Sequence, residues 1–137
     1  MKYGKLNIII GAAFILVAAF GGVALGGTFD QYSIQDGNHL LTEARFYLRE
    51  GHSHGMPMGL LNLMVGIIID RLGLSDKTKS FLSWAAVLTI FLPIGLFLKG
   101  AFGAPKDFPP IGLIGIIAFV AMAILLFIGG VKIKKEA

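Results

Sequence analysis

The chain has 137 residues, 55% of them hydrophobic and 15% charged, with a mean hydropathy of +0.79. A soluble domain of this size has too little interior to hide so much apolar surface, so composition excludes one and makes the lipid bilayer the natural solvent. The absence of cysteine excludes disulfides, thiolate zinc sites, cysteine-ligated clusters and covalent haem, and the net charge of +4 lies beside apolar runs rather than pointing to nucleic acid.

A spanning helix needs about 20 apolar residues. The first run, about residues 6–27, follows Lys2 and Lys5; it outruns the apolar core of about 7–15 residues in a signal peptide, so it is read as a retained membrane helix. Near its end Gly22 and Gly26 have GxxxG spacing, which lets another helix approach closely. The polar stretch TFDQYSIQDGN follows, then an amphipathic segment over about 39–50. There Leu40, Leu41, Ala44, Tyr47 and Leu48 recur at helical spacing opposite Glu43, Arg45, Arg49 and Glu50. It either lies in the interface or forms the leading turns of helix two.

Helix two is expected over about 51–72. A start at Pro57 would give only about 24 Å of helix against a hydrocarbon core of about 30 Å. A start at Gly51 supplies the length, brings GHSHGMPMG to the membrane edge and leaves Pro57 inside to kink the helix. The third run, about 81–98, holds Trp84 near one end and Pro93 within, which frees the carbonyl of Thr89. After KGAFGAPKDFPP the fourth run covers about 110–131. The expected fold is therefore all-α: a single membrane domain of four transmembrane helices with an interfacial amphipathic segment between the first two.

Lys2, Lys5, Arg71, Lys77, Lys79, Lys132, Lys134 and Lys135 fall on one side of such a topology, and Arg45, Arg49, Lys99 and Lys106 on the other. The excess of basic residues marks the cytoplasmic side, so both termini are expected in the cytoplasm of a prokaryotic plasma membrane and GHSHGMPMG at the outer face.

That stretch holds the chemical candidates. On a helix His52 aligns with Met56, and His54 with Met58 and Asn62. Imidazole and thioether ligands at an oxidising face suit copper, with His39 as a third imidazole. Haem is a weaker reading, because His52 and His54 are too close in sequence to approach a porphyrin from opposite sides. A quinone head group held by His54 and Asn62 is a further alternative. The plainer account outweighs all three: histidines reach water at the membrane edge, methionines pack, and Gly51, Gly55 and Gly59 form a small-residue stripe for helix contact. Asn62 on this account makes an interhelical hydrogen bond to Thr89 or to the carbonyl freed by Pro93.

FGGVALGG at 20–27, EARFYLREGHSHG at 43–55 and FPPIGLIG at 108–115 loosely resemble the small four-helix membrane family of unknown function that includes the bacterial YwdK-type proteins. The family's GAHAL-like sequence after helix one is missing, GVALGG standing there without a histidine. The resemblance implies fold and topology and carries no chemistry.

No ionisable residue falls at the middle of a run, and P-loop, HExxH and GxSxG patterns are missing, so neither ion conduction nor enzymatic catalysis is indicated. The expected role is a structural or accessory subunit, packing in a homo-oligomer or a larger membrane complex. Binding of copper, haem or quinone through residues 52–58 is the alternative.

Overall fold

The computed structural model describes residues 2–28 and 42–133, and among these every regular element is helical. In chain order they are α1 (Lys5–Gly27), α2 (Glu43–Ile68), a 3₁₀ turn (Ile69–Arg71), α3 (Asp76–Leu88), α4 (Phe91–Ala101) and α5 (Ile111–Val131). Three stretches are long and apolar enough to cross a membrane: Lys5–Gly27, Asp76–Ala101 and Ile111–Val131. This is a helical membrane protein.

The second helix takes the second of the two placements open to the amphipathic segment, and its α-helical part ends at Ile68 rather than at about residue 72. Glu43–Glu50 are its leading turns, and the helix runs through Pro57 to Ile68, 26 residues in all. At 1.5 Å per residue it is about 39 Å long. Thr42 starts it by accepting a hydrogen bond from the Arg45 N–H at 3.2 Å, satisfying one of the donors a helix N-terminus leaves unpaired. Arg45 then reaches the other way: its guanidinium donates to Leu25 O at 2.7 Å and Thr28 Oγ1 at 3.0 Å, placing positive charge where the α1 dipole is negative.

The third run is interrupted. Between α3 and α4 the backbone tightens, with Thr89 N–H bonded to Ala86 O, Ile90 N–H to Val87 O, and Leu92 N–H to Thr89 O at 3.1 Å. Pro93 therefore leaves no orphan: the carbonyl it cannot serve is taken by Leu92, one residue earlier.

Glycine sets how closely the helices approach. A Cβ on Gly59 would sit 2.6 Å from Ile15 Cγ1, one on Gly55 3.0 Å from Ala18 Cβ, and one on Gly66 2.8 Å from Gly4 O. These pairings run in opposite directions along the chain, so α1 and α2 are antiparallel. Gly51 belongs to a different contact, facing the Phe97 backbone of α4, and Gly100 faces Ala44 and Leu48. The expected stripe of Gly51, Gly55 and Gly59 thus serves two partners. Gly26 meets nothing within 4 Å, and Gly22 meets the His52 ring rather than a helix backbone.

An apolar core of Val65, Ile69, Leu72, Leu82, Ala85, Ala86 and Met122 closes the end where α2, α3 and α5 meet. Residues 2–4 and 129–132 gather at the same end. The Asp70 carboxylate accepts from the N–H groups of Lys2 at 2.8 Å and Tyr3 at 3.2 Å, just ahead of α1, and Gly73 N–H donates to Gly129 O. Lys2 Nζ also pairs with Asp76, which holds its ammonium above the usual lysine range, but both side chains are exposed. Exposed pairs contribute little. Lys2→Ala should consequently leave the thermal midpoint in detergent unchanged, while Asp70→Ala, which strips two N–H groups of their acceptor, should lower it. Equal midpoints for the two variants would count against this division of labour.

Candidate functional site

Polar side chains are buried where α1, α2 and α3 meet. Asn7 and Asn62 are 0% exposed, as is Thr89, and Ser83 is 6% exposed. Their hydrogen bonds form a closed set. Asn7 Nδ2 donates to Ser83 O at 2.9 Å and Asn62 Oδ1 at 3.2 Å; Ser83 Oγ donates to Asn7 Oδ1 at 2.5 Å. Asn62 Nδ2 donates to Ala86 O at 2.8 Å and Met58 O at 3.0 Å, with Thr89 Oγ1 at 3.4 Å. Each amide thus finds two acceptors for its two hydrogens, and among the described residues no buried side-chain nitrogen or oxygen lacks a partner. Ala86 O is reachable because it lies one turn ahead of the interrupted backbone at Thr89.

Sequence reasoning singled out Asn62 and its link to Thr89 but missed Asn7 and Ser83. The available signal was Asn7 four residues before Gly11 inside an apolar run, a polar and a small residue on one helix face. The structure spends the Asn62 amide inside the protein. His54 stands eight residues away, about 12 Å along the helix axis. The structure does not bring the two side chains together.

The His/Met string is likewise spread out. Residues two apart on a helix point about 200° apart, so His52 and His54 face opposite ways. His54 Nδ1 donates to Glu50 O at 2.8 Å, and its side chain is 41% exposed. Met56 is exposed and Met58 buried. Among the described residues no three His, Asp or Glu side chains come together as metal ligands. His39 lies outside the described residues.

His52 is seated differently. Its Nδ1 lies 2.8 Å from Ala18 O, and a carbonyl oxygen only accepts, so Nδ1 carries the hydrogen. Gly22 makes this possible, because a Cβ there would fall 2.5 Å from His52 Cε1. Beside the ring lies a cleft of about 460 Å³ between the C-terminal half of α1 and α4, floored by Gly51 and Gly55 of α2. His52 is the one polar side chain lining it; Phe14, Phe20 and Phe97 contribute aromatic walls. A second hollow of about 430 Å³ adjoins it, sharing Gly21, Ala24 and Phe97, and reaches Thr28, Thr42 and Arg45 at the end of the bundle away from residues 2–4.

Fold and site define a helical membrane protein with a sealed polar cluster near one end and an apolar cleft near the other. Comparison of the chain with known protein families, with curated proteins and with solved structures finds no match.

Proposed function

We propose that this is a four-span integral membrane protein acting as a structural or accessory subunit, in a homo-oligomer or a larger membrane complex. The closed polar cluster carries the reading: Asn7, Asn62, Ser83 and Thr89 spend their hydrogen-bonding capacity on one another and on backbone, which fixes helix register and leaves none of these four side chains free for chemistry. In this reading α2 is the fourth span, long enough to cross, with Asn62 buried against α1 and α3 and the His52 ring packed on Gly22 of α1. The gathering of residues 2–4, the α2–α3 turn and residues 129–132 at one end, with Lys2, Arg71, Lys77 and Lys132 there, supports cytoplasmic termini. The outward stripe of Leu16, Val17, Phe20 and Val23 on α1, all well exposed, is the surface left for lipid or a neighbouring chain.

Extraction in a mild detergent followed by mass measurement of the intact assembly tests the proposal. An oligomer or a stable complex with another membrane protein is expected. A monomer without partners at every detergent concentration would overturn it.

A further inference from the structure

The cleft beside His52 has a chemistry that a scaffolding role leaves unused. In the neutral ring, Nδ1 donates to Ala18 O and Nε2 keeps the lone pair. Nε2 has no hydrogen-bond partner among the described residues and is not a sealed polar atom, and the ring that carries it packs on Gly22 and lines the cleft. The walls are apolar and aromatic, the volume of about 460 Å³ falls in the range of small-molecule sites, and the rim residues Val17, Phe20 and Phe97 are exposed on the side of the bundle. An apolar tail can therefore leave sideways into lipid.

We propose that this cleft binds a prenylated quinol, its ring packed among Phe14, Phe20 and Phe97 and one ring hydroxyl donating to His52 Nε2. Aromatic walls favour a flat ring over an acyl chain. The orientation of the imidazole sets the preferred oxidation state. A quinol brings a hydroxyl hydrogen to the lone pair, whereas a quinone brings only carbonyl oxygens, which face that lone pair without a hydrogen between them. Binding the oxidised form leaves the acceptor unpaired, and a site built to receive a hydroxyl rejects the analogue that lacks it. The inference reaches beyond the accessory role and depends only on the chain lying in a bilayer.

The test is equilibrium binding of decyl-ubiquinol, held reduced without oxygen, and of decyl-ubiquinone to the full chain, delipidated and dispersed in detergent. The quinol should bind about tenfold more tightly. His52→Phe keeps an aromatic ring but removes the acceptor, and should bring the two affinities together. Gly21→Leu should abolish binding of both forms: Gly21 lines the cleft, and a Cβ there meets nothing within 4 Å, so the side chain fills the space without disturbing a neighbour. Gly26→Leu, equally unobstructed but away from the cleft lining, should bind as the unaltered chain does. Equal affinity for the two oxidation states overturns the proposal, as does a preference surviving in His52→Phe. Absence of binding overturns it too. Because the dispersed chain is the sample, failure here leaves the oligomer measurement untouched.

Discussion

Gly11→Leu should lower the stability of the bundle by about 3 kcal/mol or more, at or beyond the upper end of what overpacking usually costs. A Cβ at this position would lie 2.7 Å from Gly59 O and 2.8 Å from Leu63 N, and both are backbone atoms of α2. Backbone in the middle of a helix cannot rotate aside as a side chain can, so α1 must move away as a body. That movement would loosen the Ala18–Gly55 contact a few turns along. It would also stretch the Asn7–Asn62 hydrogen bond, one turn from the substitution, which is already 3.2 Å. The control is Gly26→Leu, whose added atoms meet nothing within 4 Å and whose effect should stay within about 0.5 kcal/mol. Reversible unfolding of both variants in detergent provides the comparison, and similar losses would show that the α1–α2 contact is looser than these distances require.

Asn62→Ala should cost about 1–2 kcal/mol, more than the average of about 0.6 kcal/mol for a hydrogen bond between membrane helices. The larger figure follows from connectivity. Removing this amide takes a donor from Ala86 O and Met58 O and an acceptor from Asn7 Nδ2, all in a fully buried setting. Partial compensation limits the loss: Thr89 Oγ1 still donates to Ala86 O at 2.6 Å, and Asn7 Nδ2 still reaches Ser83 O. An Asn7→Leu, Asn62→Leu pair should lose less than the sum of its single changes, since the double change removes both ends of the Asn7–Asn62 hydrogen bond, whereas each single change leaves the other amide short of a partner. Strict additivity in that cycle would mean that the two asparagines act separately.

Much of the layout was legible in the sequence because it depends on composition alone. The first and last runs, about 6–27 and 110–131, correspond closely to α1 and α5, whose bounds follow from uninterrupted apolar length. The start of helix two was ambiguous for a physical reason. Glu43–Glu50 is amphipathic, and an amphipathic helix suits an interface or a neighbour equally well; the neighbours here are α4, through Gly100 against Ala44 and Leu48, and the end of α1, through Arg45. The interruption at Thr89 was signalled by Pro93, yet which donor would take the freed carbonyl depends on local tightening that no residue pattern encodes. Glycine spacing showed that close contacts exist but not with whom. Gly22 and Gly26 look alike in sequence, and one receives an imidazole while the other faces open space. Helical spacing separates His52 from His54 in the sequence itself, but it does not say which surroundings each meets: the His52 ring packs on Gly22 and lines the cleft, while His54 bonds to Glu50 O on its own helix.

The interrupted third span gives each of its halves a different set of neighbours. α3 is tied to α1 through Ser83 and to the core near Met122, while α4 abuts Gly51 of α2 and, through Gly95 and Leu92, the Gly112–Gly115 turn of α5. Two short levers meeting at Thr89 can be fitted to two separate surfaces, which one straight rod of the same length cannot do.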